Sequence, residues 1–192
     1  MIPEVSTASR LPDLPEPFDL DAWLPAPTVR VSHRRHSTAS ADRLWEAARS
    51  IRLGQTRVLG RLVRWRIPGT PPEITFDQLF RQPPFMALEE PAEALISGLV
   101  GRIWTLRRDY PELRSEQDYL DWSRSGTAKV LFANWVQPGA DHGAVLHSEV
   151  RVEAFGVQGR IGLASTRPLI RGFQQLIWSD AMAAAVRRAE RA

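Results

Sequence analysis

Four strand-like segments, FMALEE, AEALISGLVGRIW, AKVLFANWVQ and AVLHSEVRVEAF, fill most of residues 85–155, and from about residue 157 the pattern turns helical. Turn-forming groups such as PGADHG separate the strands and suit hairpins. A curved antiparallel sheet has to cover its apolar face, and the closing helix is the only element in this chain long enough to do so. The expected class is therefore α+β, a curved antiparallel sheet covered by one long C-terminal helix.

The upstream elements fit that plan. TVRVSHRRHS (28–37) places valines at alternate positions and reads as a first strand. Two short helices are expected after it. In ADRLWEAARSI, Leu44, Ala48 and Ile51 share a face behind Ser40, and Asp42 lies in the first turn. In TRVLGRLVRWRI, Val58, Leu59, Leu62, Val63 and Trp65 form one face, while Arg57, Arg61 and Arg64 line the other. RSEQDYLDWSRSG reads as a short helix or an ordered loop. In the closing segment Ile170, Phe173, Ile177, Ala181 and Ala184 fall on one stripe, with Pro168 in the first turn and Ser165 or Thr166 near the cap. Residues 1–27 carry six prolines, a density that forbids a helix or an interior strand, and form an extended arm with Phe18, Leu20, Trp23 and Leu24 as apolar hooks. The folded domain is expected over 28–192.

Composition removes several functional classes. There is no cysteine, hence no disulfide framework, thiol nucleophile or thiolate metal site. Lys129 is the only lysine, and arginine's high pKa lifts the pI to about 10.1 although the net charge is only +3. A nucleic-acid role is not expected. No stretch approaches the ~20 apolar residues of a membrane span, and the N-terminus lacks the order of a secretion signal, which predicts a cytoplasmic protein. Among the histidines, His33 and His36 are three apart and His142 and His147 flank a turn, so no zinc-hydrolase spacing occurs and no metal is expected. GVQGRIG (156–162) has the wrong glycine spacing for a dinucleotide loop, and no cofactor signature is present.

The series TFDQLF, FMALEEPAEALISGLVGRIW, AKVLFANWVQP, AVLHSEVRVEAF and VRRAER resembles uncharacterised bacterial members of the START-like helix-grip superfamily, also called the polyketide cyclase/dehydrase and lipid-transport (SRPBCC) superfamily. The similarity covers roughly residues 28–192. In such relatives one strand ends in a Gly-Leu-Val-Gly-Arg-Phe-Trp-like sequence, here Gly98 to Trp104, and a later strand carries a Thr-Glu-Thr-Arg-Val-like sequence, here Ser148 to Val152. The resemblance implies a seven-stranded sheet gripping the C-terminal helix around an apolar cavity that in other branches holds lipids, sterols or polyketides. Asn134 stands where relatives tend to have an aromatic residue.

The candidate site follows from residues that break the strand pattern. Glycine weakens a strand, so Gly98 and Gly101 imply that something lies close against their backbone. Facing the small residues of AMAAA (181–185), they leave either a tight contact or a hollow. Trp45, Trp104 and Trp178 would rim such a hollow, with Phe173 and Ile177 on the covering helix. Strand alternation puts Asn134 on one face with Ala128, Val130, Phe132 and Val136, and Ser148 on one face with Leu146, Val150 and Val152. Each is the polar exception, either hydrogen-bonded within the core or aimed at a ligand. Arg102 either holds an oxyanion at the mouth or pairs with Glu149. The Arg57, Arg61 and Arg64 stripe is a solvated face or a contact for an anionic membrane. Lys129 is expected to face solvent. The function expected is binding or transport of a hydrophobic small molecule, lipid-like or polyketide-like. The alternatives are a cyclase or dehydratase in the same cavity, with His147 as acid/base should the register place it inward, and a partner-binding protein with a filled core.

Overall fold

The computed structural model of the chain describes residues 18–56, 59–67, 69–105, 110–139 and 142–191; for 59, 66 and 167–179 only the backbone is described. Five strands, β1 (Val29–Ser37), β2 (Met86–Glu89), β3 (Ala94–Gly101), β4 (Ala128–Pro138) and β5 (Ala144–Ala154), form one antiparallel sheet in the order β1-β5-β4-β3-β2. Among the described residues the sheet is open and has five strands rather than seven. The fold is α+β of the helix-grip type, and the C-terminal helix runs along one face of the sheet.

That inner face carries the even-numbered residues of β4 and β5 and the odd-numbered residues of β3. Helices α2 (Ala41–Arg49), α3 (Leu59–Arg66) and α4 (Phe76–Phe80) pack over it together with the C-terminal helix. Ser40 is extended at the start of α2, as expected, and Thr75 caps α4 through a reciprocal box with Gln78. The C-terminal helix begins at Gly156 and continues as α6 (Gly156–Leu176), a π-helical stretch (Ile177–Met182) and α7 (Ala183–Arg191). It starts where the helical pattern sets in, near residue 157, so Pro168 lies inside it rather than in its first turn. Ser165 and Thr166 stand inside it and bond back to Gly162 O. At its far end, Glu190 accepts from Thr38 N at 3.1 Å and so ties α7 to the end of β1.

The outer face is covered too. Helix α5 (Glu116–Leu120) and the segment from Phe18 to Leu24 bury Ile96, Val100, Leu131, Ala133 and Trp135. Proline density did not forbid a helix here: α1 (Leu20–Trp23) makes one turn in the gap between Pro17 and Pro25, with Asp19 accepting from Asp21 N and Ala22 N. Leu20 and Leu24 are fully buried, and Phe18 meets Trp135 edge to face. A buried charge cluster fastens the same segment. Arg151, 2% exposed, bonds Glu149 Oε1 at 2.6 Å, the carboxylate of Asp21 and Leu24 O, while Arg30 grips both oxygens of Glu149 at 2.8 and 2.9 Å. Lys129 does point away from the inner face, but not into solvent. It is buried under α5, donates to Leu120 O at 2.8 Å and lies over the Tyr119 ring. Burial lowers its pKa, with Glu153 and Asp121 opposing.

Candidate functional site

A cavity of 290 Å3 lies between the inner face of the sheet and the helices. Its floor is Leu95 and Leu99 of β3, Val130, Phe132 and Asn134 of β4, and Leu146, Ser148, Val150 and Val152 of β5. Strand pairing dictates that set, because residues two apart on a strand share a face and cross-strand partners lie side by side. Its roof includes Ala181, Met182 and Ala185 from the C-terminal helix and Trp45 and Ala48 from α2. The wall is completed by Phe76, Leu79 and Phe80 of α4, with Phe85 beside them. Phe80, Phe85 and Phe132 form a ring cluster with centroids 5.1 to 5.5 Å apart. Trp65 lines the cavity while 60% exposed, which sets it at the opening together with the exposed Arg49.

Asn134 and Ser148 are direct partners in the β4–β5 ladder, so the two polar exceptions form one polar spot on an apolar floor. Among the described residues neither side chain has a hydrogen-bonding partner, and neither belongs to the sealed polar atoms of the core. The reading as a satisfied core hydrogen bond therefore does not hold. The row continues outward, because Ser148 pairs on its other side with His33 of β1, which places that imidazole on the inner face as well. His33 is not part of the cavity wall, and burial lowers its pKa below the ordinary 6.5.

The other expected residues lie elsewhere. Gly98 belongs to the outer face, where a Cβ would strike the ring of Tyr119 and the tip of Leu88. What lies against this backbone is an α5 side chain. Gly101 ends β3 at φ 135°, a conformation other residues rarely adopt, and does not line the cavity. Arg102 is exposed just beyond the strand, and Glu149 is taken by Arg30 and Arg151 on the other face. Trp104 is half-buried against Gly162 of α6. His147 stacks on Trp135 at 4.9 Å on the outer face, so no shift of register brings it inward. Phe173, Ile177 and Trp178 lie outside the residues with described side chains. Arg61 and Arg64 are exposed on α3, and Arg57 lies outside the described residues. Among the described residues there is no group of metal ligands.

Sequence reasoning missed Trp65 and the phenylalanine cluster. Helical spacing put Trp65 with the buried face of α3, yet α3 lies over a hollow, so a residue on that face can be exposed. Phe80 and Phe85 flank RQPP, which has no periodic signal.

No protein-family model matches the chain, and no curated protein matches it. The solved structures that match the chain, at low TM-scores, include the following two. Hypothetical protein jhp0584 of Helicobacter pylori is 11% identical over 96% of this chain and 99% of its own, with a TM-score of 0.40. TTHA0849 of Thermus thermophilus is 10% identical over 84% of this chain and 97% of its own, with a TM-score of 0.34. At these values neither bears on function.

Proposed function

We propose that this chain is a START-like helix-grip protein that binds or carries a hydrophobic small molecule, lipid-like or polyketide-like, in the cavity between the sheet and the C-terminal helix. The observation that carries the reading is an apolar hollow with one polar pair on its floor, Asn134 and Ser148, unpartnered among the described residues. Ligand sites have this make-up, with apolar walls supplying affinity and a few polar groups fixing orientation. A filled-core partner protein would have no such space. A cyclase or dehydratase would need an ionisable group at the reacting atoms, and His147 on the outer face does not supply one.

Native mass spectrometry with organic extraction, applied to protein purified from its own host, tests the proposal. One small molecule per chain is expected, and Ala185→Phe, which fills the roof, should abolish its retention. Protein that carries nothing, or an Ala185→Phe variant that retains the same molecule, overturns the reading.

A further inference from the structure

The chemistry of the floor defines the class of ligand, given that the cavity is a binding site at all. Direct cross-strand partners hold their Cβ atoms about 5 Å apart, so a single ligand oxygen can reach both Asn134 and Ser148. Between them they offer an amide NH2, an amide oxygen and a hydroxyl, donors and acceptors without charge. The charged groups of the described wall are already matched. Asp77 is held by both arms of Arg81 at 2.9 and 3.0 Å, and Arg49 sits at the exposed rim beside Glu46. The neighbouring imidazole, His33, is partly buried, and this burial lowers its pKa and so disfavours the charged form. A carboxylate or phosphate held between Asn134 and Ser148 would lose its water, while the cationic side chain of the described lining, Arg49, stands at the exposed rim beside Glu46, a heavy cost. A hydroxyl or carbonyl would lose little, because donors and acceptors are waiting.

The geometry points to an uncharged ligand, an apolar body bearing a hydroxyl or carbonyl whose oxygen is held between Asn134 and Ser148. A volume of 290 Å3 equals the share of about ten water molecules, which suits a body of roughly ten to fifteen non-hydrogen atoms inside the cavity.

Four probes sharing one bicyclic body test this by calorimetry at pH 7: naphthalene, 2-naphthol, 2-acetylnaphthalene and 2-naphthoate. The alcohol and the ketone are expected to bind about fivefold more tightly than naphthalene, and the carboxylate at least about a hundredfold more weakly than the alcohol. In the double variant Asn134→Leu, Ser148→Ala the alcohol-to-naphthalene ratio should fall to within about twofold. Because this is a ratio within one variant, a general loss of affinity does not imitate it. Naphthoate binding as tightly as naphthol, or a ratio that survives the double variant, overturns the assignment of ligand class while the cavity reading stands. If no probe binds and the host-purified protein carries no molecule, both fall together.

Discussion

Gly98→Ala tests the account of the glycine-broken strand. A Cβ built on Gly98 comes within 2.6 and 2.7 Å of Tyr119 Cδ2 and Cε2 and 2.9 Å of Leu88 Cδ1, against ~3.5–4.0 Å for carbon atoms in favourable contact. The backbone cannot retreat freely, because Gly98 is paired with Met86 on one side and Leu131 on the other. Nor can the ring, since Tyr119 is fully buried and meets Trp23 at 6.4 Å. Forcing an extra methyl into a packed core costs about 1–3 kcal/mol, and the reduced freedom of the unfolded alanine chain returns less than about 1 kcal/mol. The expected net loss is about 1–2 kcal/mol, a fall in Tm of about 2–8 °C for a chain of this size. Urea unfolding should show a lower midpoint at unchanged slope. Combining the change with Tyr119→Leu should recover part of the loss, with a coupling of about 1 kcal/mol. Affinity for a cavity ligand should stay within about twofold, because Gly98 faces away from it. A Gly98→Ala protein as stable as the parent, or one with impaired binding at unchanged stability, would refute the reasoning.

Two further perturbations probe features of the same sheet. Arg151→Met leaves Glu149 buried with half its partners, at a cost of about 3–5 kcal/mol, and should expose residues 18–24 to limited proteolysis; the double variant Arg151→Met, Glu149→Leu should be markedly more stable than the single one, and equal loss in both would contradict the account. For His33, whose folded pKa lies below its unfolded 6.5, the unfolded chain binds the proton more readily, so its contribution is present above pH 6.5 and lost as pH falls through the lowered value. His33→Gln should flatten the dependence of the urea midpoint on pH between about 5 and 7, and an unchanged profile would count against a buried imidazole there.

Strand assignment was legible because alternation is a local property. The face shared by Val130, Phe132 and Asn134, and that shared by Leu146, Ser148 and Val150, follow from the pleat alone, and they form the floor of the cavity. What alternation cannot say is which face holds the cavity and which holds a second core. β3 is buried along its whole length, and a strand covered on both sides reads as a continuous apolar run with no preferred face. A ligand therefore accounts for Gly98 as well as a side chain does, until the fold supplies Tyr119, a residue twenty-one positions later on a helix that crosses the outer face. The helix at Leu20–Trp23 was hidden for a related reason. Its stability comes from burial of Leu20 and Leu24 and from the Arg151 cluster, contacts distant in sequence, while local composition argued for extension. Pro168 misled in the opposite sense, since a helix of this length, packed at both ends, accommodates a proline that would start or end a shorter one.

Among the described residues the open sheet ends at β1 and β2, and each border resists the addition of another strand. β1 displays Arg30, Arg34 and Arg35 within six residues, so a second copy docking antiparallel along it would bring one row of arginines against another. β2, at the opposite border, is four residues long and its ladder slips between Ala87 and Glu89. Concentrated protein should accordingly resist growth into edge-joined fibrils.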